Sequence, residues 1–258
     1  MTSTATSTLP QLLADEVTRA RRERTAIDSL TERYGDALDL ATAYQAQRRQ
    51  RPGALVGWKL GVTSRAKQAQ VGVDAPIYGF LGPEHVLDLG EALVTGTHIQ
   101  PRCEPEIVFV MGRDLTGAHV TAADVLAATA GVTVGIEVLD SRYRDYRFTM
   151  PDVVADNASA GRFVVGTPRP VDGIDLRLVG VVLEKNGEVV ATASGAASLG
   201  HPAAAVAWLV RALDADGEGL RAGDVILSGG LTAAVPVQPG DVVVASIDRL
   251  GSVELGCR

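Results

Sequence analysis

Two glutamates stand two residues apart at the front of an apolar stretch. Residues 102–110 read RCEPEIVFV, a composition typical of a β-strand, and side chains two positions apart on a strand leave the same face. Glu104 and Glu106 therefore hold two like charges close together, and like charges repel. Either water covers that face or a cation lies between the two carboxylates.

A third glutamate follows in a second apolar stretch. Glu137 lies within VTVGIEVLD, which reads as a buried strand, and an ionised carboxylate is costly to bury unless it is neutralised. Three glutamate side chains could supply oxygen ligands for Mg²⁺ or Mn²⁺ and leave coordination positions open for a substrate. The spacing also allows a second interpretation, in which Glu104 and Glu106 form an exposed strand edge and Glu137 pairs with an arginine such as Arg142.

A lysine within an apolar strand raises the same question with the opposite charge. Lys59 follows Trp58 in GWKLG, between two glycines. Catalytic lysines occur in such surroundings. So do lysines whose stem is buried and whose amine reaches water. The residue alone leaves both roles open.

Two polar segments could contact a substrate. VVADNASAGRF contains Asp156 and Ser159, and GGLTAAVPVQPGD contains Thr232 in a glycine-rich loop. Each side chain could hydrogen-bond a substrate carboxylate or could serve only in a turn. The loop lacks both nucleotide-binding glycine spacings, and the 4 histidines show no spacing typical of metal ligands or of a nucleophile's partner.

Composition limits the classes of protein. The chain has 258 residues, 46% hydrophobic content and a formal net charge of −7, which favours a folded domain and argues against nucleic-acid binding. MTSTATSTLP does not resemble a signal peptide, and the apolar runs are shorter than a bilayer requires, so we expect a cytoplasmic protein without a membrane partner. The 2 cysteines are far apart and predict neither a disulfide framework nor a zinc site.

The pattern of elements changes near residue 54. Apolar positions at helical spacing, as in LPQLLADEVTRARRER, predict a helical N-terminal region over residues 1–53. The remainder, residues 54–258, is rich in short strands, with Asn186-Gly187 marking a hairpin and helices expected in two places only. Runs of strands with few helices favour an α+β fold with a mixed, folded-over sheet.

Several segments together resemble one family. In order they are GWKLGVTS, PIYGFL, PRCEPEIVFV, GIEVLDSRYRDYRF, PDVVADNASAGRFVVG, LGHPAAAVAWLV, and GGLTAAVPVQPGD with DRLGSVEL. Spanning Gly57 to Leu255, they are similar to the hydratase/decarboxylase branch of the fumarylacetoacetate hydrolase superfamily, whose members process 2-oxo acids. The resemblance implies the superfamily's mixed β-roll or sandwich with a small N-terminal helical region.

The resemblance also assigns site residues. The family's Mg²⁺ ligands, for which Mn²⁺ could substitute, correspond to Glu104, Glu106 and Glu137. Its active-site lysine corresponds to Lys59. The segments near the bound 2-oxo acid contain Asp156, Ser159 and Thr232. A dicarboxylate substrate needs a second cation, and the candidates are Arg142 and, as alternatives, Arg144, Arg147 and Arg162.

The reaction that the resemblance implies is Mg²⁺-dependent decarboxylation of 2-oxo-3-hexenedioate to 2-hydroxypenta-2,4-dienoate and CO₂. PIYGFL and DSRYRDYRF resemble the decarboxylases of the family, whereas Ala160-Gly161 departs from their serine-rich segment. The alternatives are a 2-hydroxypenta-2,4-dienoate hydratase, an acylpyruvate-type C–C hydrolase and a non-catalytic 2-oxo acid binder. Because the dienol product is short-lived, the resemblance also implies a complex with a partner hydratase.

Overall fold

The computed structural model describes residues 7–64, 68 and 75–258, in which helices come first and strands dominate afterwards. The helices are α1 (Leu9–Glu23), α2 (Leu30–Tyr34), α3 (Leu40–Arg49), α4 (Ala122–Ala128), α5 (Met150–Ala155) and α6 (Pro202–Asp214). The strands are β1 (Gly57–Gly61), β2 (Ile77–Leu81), β3 (Arg102–Met111), β4 (Thr129–Leu139), β5 (Ala160–Val165), β6 (Gly180–Lys185), β7 (Glu188–Ser194), β8 (Val225–Leu227), β9 (Val235–Pro236), β10 (Val242–Ile247) and β11 (Gly251–Gly256).

Helices begin where local signals place them. Ser29 Oγ accepts a hydrogen bond from the Glu32 backbone N at 3.4 Å ahead of α2, and Thr121 Oγ1 accepts one from the Asp124 backbone N at 3.3 Å ahead of α4. Such caps satisfy N–H groups that the first helical turn leaves unpaired. The predicted helical N-terminal region is confirmed by α1 and α3, and the two later predicted helices are α4 and α6.

The prediction of only two helices after residue 54 is wrong, because α5 is an additional one. Its signals are local and short. Thr149 caps the helix in a reciprocal arrangement with Asp152, and Pro151 lies in the first turn. Six residues are too few for a helical period to stand out in the sequence.

Among the described residues the strands form two sheets. A seven-stranded sheet has the order β2-β1-β8-β3-β4-β5, with β9 paired to β3 off this path. Since β1 and β8 run parallel and β3 and β4 antiparallel, the sheet is mixed, as predicted. A four-stranded antiparallel sheet has the order β11-β10-β6-β7. Its β6–β7 hairpin turns at Asn186 and Gly187, with φ values of 55° and 83°, which confirms the predicted turn.

The two sheets pack against each other around the main apolar core. Ile107 and Val138 of the seven-stranded sheet share one cluster with Leu183 and Val243 of the four-stranded sheet and with Leu209 of α6. All five side chains have 0% exposure. Burial of apolar surface is the main term that stabilises such a layered fold. The α+β fold is therefore confirmed. The opposite face of the seven-stranded sheet points away from the four-stranded sheet and carries a different set of side chains.

A second apolar cluster joins the N-terminal helices to the edge of the seven-stranded sheet. Leu13 of α1 and Val154 of α5 pack there with Ile77 of β2. The helices thereby hold the strand that borders β1. The division of the chain into regions 1–53 and 54–258 stays a prediction. Within the described part of the chain, no helix combines the length and apolar content needed to cross a bilayer.

Candidate metal centre

Three carboxylates meet on one face of the seven-stranded sheet. Glu104 and Glu106 share a face because they are two residues apart on β3, and the antiparallel register places Glu137 of β4 directly opposite Glu104. One carboxylate oxygen from each of the three lies within 4.8 Å of the others. We call this group of residues, Glu104, Glu106 and Glu137, the glutamate cluster.

The glutamate cluster is buried. The relative exposures of Glu104, Glu106 and Glu137 are 3%, 0% and 1%. The interpretation of the first two as an exposed strand edge is therefore wrong. Glu137 pairs with Lys59 rather than with Arg142, since Lys59 Nζ lies 3.0 Å from Glu137 Oε1.

Burial and mutual repulsion disfavour the charged forms of these carboxylates. The pKa of Glu106 is raised well above its usual value, first by burial and then by the charges of Glu137 and Glu104. Burial also raises the pKa of Glu137, against the opposing effect of Lys59. Glu106 Oε1 and both carboxylate oxygens of Glu137 accept no hydrogen bond from the described residues. If these carboxylates are ionised, their buried oxygens need a positive partner.

Lys59 supplies part of that positive charge. It is 1% exposed, lies beside Glu137 Oε1 without the alignment of a hydrogen bond, and donates a hydrogen bond to the Ala158 backbone O at 2.9 Å. Within the part of the chain that the structure describes, this one ammonium does not balance three ionised carboxylates, and a divalent cation would supply further positive charge. Because every candidate ligand atom is a carboxylate oxygen, the glutamate cluster fits Mg²⁺ or Mn²⁺.

Two glycines let the backbone reach the glutamate cluster. The Gly229 backbone N donates to Glu106 Oε2 at 2.6 Å. A Cβ on Gly230 would lie 2.1 Å from the carboxyl carbon of Glu104, so a side chain does not fit there. From sequence, this loop offered only Thr232, because a glycine pair carries no functional group. The role of this loop becomes apparent only in the folded chain, where it contacts the carboxylates.

A strained turn supports the lysine. Asn157, Ala158 and Ser159 have φ values of 49°, 52° and 56°, a left-handed conformation that residues other than glycine rarely adopt. The Asn157 side chain accepts a hydrogen bond from the Phe80 backbone N at 2.9 Å and donates one to the Phe80 backbone O at 3.0 Å. Gly79 leaves room, since a Cβ there would lie 2.6 Å from the Asn157 backbone O. This left-handed turn presents the Ala158 carbonyl to the lysine.

Arg142 and Asp156 lie beside the left-handed turn and bind each other. They form a buried ion pair, and the Arg142 guanidinium also donates to the backbone O of Asp140 at 2.6 Å and of Ala160 at 3.1 Å. Burial raises the pKa of Asp156 to about 6, against the opposing effect of Arg142. These contacts are internal to the fold and support a structural role. The predicted substrate binding by both residues stays a prediction.

Two predicted substrate contacts are buried hydroxyls that form hydrogen bonds within the chain. Ser159 Oγ donates to Asp156 Oδ2 at 3.4 Å, and Thr232 Oγ1 donates to the Ala233 backbone O at 3.0 Å. Their relative exposures are 3% and 8%. Both side chains can exchange these bonds for bonds to a ligand, and their contact with a substrate stays a prediction.

Two of the alternative arginines lie at the surface. Arg144 Nε is 3.1 Å from Asp28 Oδ1, and an Arg147 nitrogen is 2.8 Å from Asp145 Oδ2, with side-chain exposures of 57% and 81% for the arginines. Arg162 of β5 lies opposite Val138, which faces the main core and not the glutamate cluster.

Apolar side chains surround the glutamate cluster on its own face of the sheet. The strand register places Val108, Phe163 and Leu227 on this face, and they form a separate buried apolar cluster with Leu81. Charges interact more strongly in such surroundings than in water. The site can therefore polarise a bound molecule strongly.

Residues 55–256 match the family model described as fumarylacetoacetate (FAA) hydrolase C-terminal. The chain is similar to the 4-oxalocrotonate decarboxylase of Pseudomonas sp. (strain CF600), with 43% identity over 93% of this chain and 94% of that protein. It is also similar to the 2-keto-4-pentenoate hydratase of Paraburkholderia xenovorans (strain LB400), with 41% identity over 93% of this chain and 91% of that protein. Among solved structures, the 4-oxalocrotonate decarboxylase from Pseudomonas putida G7, complexed with magnesium and adipate, matches with a TM-score of 0.93 and 40% identity over 100% of both chains. The chain belongs to the fumarylacetoacetate hydrolase family.

Proposed function

We propose that the protein decarboxylates 2-oxo-3-hexenedioate (4-oxalocrotonate), or a close analogue, to 2-hydroxypenta-2,4-dienoate and CO₂ with a divalent metal. The observation that carries the proposal is the buried glutamate cluster with Lys59 beside it. Identities of 43% and 40% to proteins named 4-oxalocrotonate decarboxylase support the choice of reaction. The magnesium bound to the Pseudomonas putida G7 enzyme supports the choice of metal.

The glutamate cluster would hold Mg²⁺, and Mn²⁺ could substitute for it. When bound, the metal supplies Lewis acidity toward the oxygens of the 2-oxo acid. The chain's own part is to fix the ligand side chains. The Gly229 N–H orients Glu106, and Lys59 lies against Glu137. Such outer contacts hold ligand oxygens in place before the substrate arrives.

Lys59 would interact with the substrate oxygen on which negative charge develops. Cleavage of the C5–C6 bond releases CO₂, and its electron pair moves along the chain to form the 4,5 and 2,3 double bonds and to leave negative charge on the 2-oxygen. That oxygen takes up one proton to give the 2-hydroxy product. The Lys59 ammonium, held between Glu137 and the Ala158 carbonyl, would stabilise this charge and deliver the proton.

A hydratase is the second candidate, because of the 41% identity to a 2-keto-4-pentenoate hydratase. Addition of water to the dienol requires a polar group near the lysine that positions or activates the water. Ile77 pairs with Gly61 beside the lysine, and a Cβ on Gly61 would lie 3.0 Å from Ile77 Cγ1 and 3.9 Å from Lys59 Nζ. An apolar side chain in this place favours decarboxylation, which consumes no water.

The test is an assay of 2-oxo-3-hexenedioate with Mg²⁺ or with chelator, in which trapped CO₂ and the organic product are both measured. We expect CO₂ release that requires the metal and yields 2-hydroxypenta-2,4-dienoate. Glu106→Gln should lower the rate by at least about 10³-fold, because a neutral amide is a poor ligand for Mg²⁺. The exposed Glu188 supplies a matched control, and Glu188→Gln should leave the rate unchanged.

Parallel assays with other substrates, and a binding measurement, distinguish the other functions. Hydration of 2-hydroxypenta-2,4-dienoate without CO₂ release from the dicarboxylate would identify a hydratase. Hydrolytic cleavage of an acylpyruvate would identify a C–C hydrolase. Metal and oxo acid binding without turnover of any of these compounds would identify a non-catalytic binder. Full activity of Glu106→Gln would contradict the assignment of that ligand.

The location and the protein partner also belong to the proposal. We infer a cytoplasmic enzyme that associates with a hydratase, since the dienol product is short-lived and is best passed on directly. Size-exclusion chromatography of the two purified proteins tests the association. Separate elution at micromolar concentrations, together with equal overall flux from mixed and separated enzymes, would contradict it.

A further inference from the structure

The segment that follows β1 contains a buried hydroxyl without a hydrogen-bond partner. Thr63 has 0% exposure, and its Oγ1 makes no hydrogen bond within residues 7–64, 68 and 75–258. A buried hydroxyl that stays unpaired is unfavourable, so folded proteins rarely keep one without a purpose. This hydroxyl is therefore a candidate for binding a ligand.

The backbone at this point is strained. Val62 has a φ of 56°, in the left-handed region, where a β-branched residue is a clear outlier. The next residue is fixed by its backbone, because the Thr63 O accepts a hydrogen bond from the Leu199 backbone N at 2.9 Å. Strain that the surrounding fold maintains is typical of functional segments. It sets the direction in which the Thr63 side chain leaves the chain.

The Thr63 hydroxyl lies against the glycine that contacts the glutamate cluster. A Cβ on Gly229 would be 2.1 Å from Thr63 Oγ1, so the absence of a side chain at 229 leaves that space to the hydroxyl. The same glycine donates its N–H to Glu106 Oε2 at 2.6 Å. One residue thus separates the unpaired hydroxyl from a carboxylate of the cluster.

A cleft begins at the same residue. Its volume is about 790 Å³, and its lining includes the polar residues Thr63, Ser64 and Gln68 as well as the apolar Leu199 and Trp208. This volume falls in the range of pockets that hold small molecules, whose walls are mostly apolar with a few placed polar groups. Thr63 therefore lies between the glutamate cluster on one side and a cleft large enough for a dicarboxylate on the other.

We propose that Thr63 Oγ1 donates a hydrogen bond to a carboxylate oxygen of the bound oxo acid, and that the cleft beside it receives part of the substrate. The inference rests on the proposed function for the identity of the acid. Thr63 is then a substrate-binding residue that supplies a neutral donor. An arginine or lysine in this place would form a strong ion pair with the carboxylate and would oppose its loss as CO₂. A neutral hydroxyl fixes the position of the carboxylate without that effect.

The test compares Thr63→Val, which removes the hydroxyl and keeps the shape, with Thr63→Ser, which keeps the hydroxyl. Calorimetric titration of the Mg²⁺-loaded proteins with adipate should show affinity about 10-fold or more weaker for the valine variant and within about threefold of wild type for the serine variant. The KM for 2-oxo-3-hexenedioate should rise in parallel. Mg²⁺ affinity should not change.

Stability of the ligand-free proteins separates ligand binding from a structural role. Thr63→Val removes an unpaired buried hydroxyl, so its Tm should equal or exceed that of wild type, whereas loss of a structural hydrogen bond would lower it. Equal adipate affinity of wild type and Thr63→Val, including no binding by either, would overturn the proposal. Weaker adipate binding by Thr63→Val in a protein that releases no CO₂ would overturn the proposed function and leave the Thr63 site standing.

Discussion

At the scale of single residues, the site depends on charges that the fold brings together against their repulsion. The glutamate cluster has no exposed member, and among the described residues Lys59 lies closest to it as a positive charge, with its Nζ 3.0 Å from Glu137 Oε1. Burial makes each charge count more than it would in water. Substitutions of these residues separate the effect of the charges on stability from their proposed roles in metal binding and catalysis.

Glu106→Gln should stabilise the metal-free protein. Since folding raises the pKa of Glu106, the folded protein binds more protons than the unfolded chain, and its stability falls as pH rises through the raised pKa. Glutamine does not ionise, so the stability of Glu106→Gln does not fall with pH in this way. In chelator at pH 8 its Tm should exceed that of wild type by roughly 2–8 °C, or about 1–2 kcal/mol, and the difference should shrink toward pH 5. Calorimetry over this pH range checks it, and a lower Tm for the variant at pH 8 would contradict it.

Lys59→Met should lower kcat by about 10²- to 10⁴-fold, because it removes the group that we propose delivers the proton. Mg²⁺ should bind at least as tightly as in wild type, since removal of one positive charge leaves the glutamate cluster more negative. Steady-state kinetics and calorimetry give the two values. Lys185→Met is the matched control, because Lys185 of β6, in the four-stranded sheet, pairs with Asp241 just before β10, and its loss should affect neither value. Loss of metal affinity in Lys59→Met would mean that the lysine mainly supports the fold.

The sequence predicts which residues could form the site, but not how they combine. The two-residue spacing of Glu104 and Glu106 predicts a shared face, and the structure bears this out. Burial, and the position of Glu137 opposite Glu104, depend on a register between strands that local patterns do not specify. The resemblance to a family supplied that information. Gly229 and Thr63 were missed because their roles arise from contacts with distant segments.

At the scale of elements, β1, β2 and the left-handed turn act as one support for the lysine. Lys59 of β1 is paired with Gly79 of β2, and the turn packs against that glycine. Phe80 fixes the turn through two hydrogen bonds with the Asn157 side chain. The lysine is therefore positioned by contacts that cross from one strand to a distant turn.

Gly79→Ala should disturb this support. The added Cβ would lie 2.6 Å from the Asn157 backbone O, so the left-handed turn must move and the Ala158 carbonyl with it. We expect a loss of about 1–3 kcal/mol in the free energy of unfolding and a fall in kcat of about 10- to 100-fold. Denaturant unfolding and kinetics measure the two effects. Gly180→Ala is the control, because a Cβ there meets no atom within 4 Å, and an equal effect of both substitutions would contradict the argument.

Elements with strong local signals were predicted from sequence, and those set by tertiary contacts were not. The hairpin at Asn186-Gly187 needs positive φ at both residues, which this pair supplies. The short α5 was missed because it has too few residues to show a helical period, and the left-handed turn was missed because its polar residues read equally well as a turn or as ligands. The hydrogen bonds between Asn157 and the distant Phe80 fix the turn, and the local sequence of the segment does not reveal this partner.

At the scale of the whole molecule, metal binding and stability should be coupled. The glutamate cluster joins β3 to β4 at the centre of the seven-stranded sheet, so a cation there binds the folded chain and not the unfolded one. At a Mg²⁺ concentration of 100 times its Kd the gain is about 2.7 kcal/mol, which corresponds to a rise in Tm of roughly 5–11 °C. Differential scanning calorimetry with Mg²⁺ or chelator at matched ionic strength measures it. Glu106→Gln should lose most of the shift, and a shift of the same size in that variant would contradict binding at the cluster.

The position of β8 has a consequence for how the protein is made. This strand lies between β1 and β3 in the sheet although it follows them by more than a hundred residues, and the glycine loop that contacts the carboxylates comes directly after it. A chain still on the ribosome can contain Glu104, Glu106 and Glu137 and yet lack the strand that lies between them and the strand of Lys59. We therefore expect the cation site to be complete only after residues near 230 have left the exit tunnel.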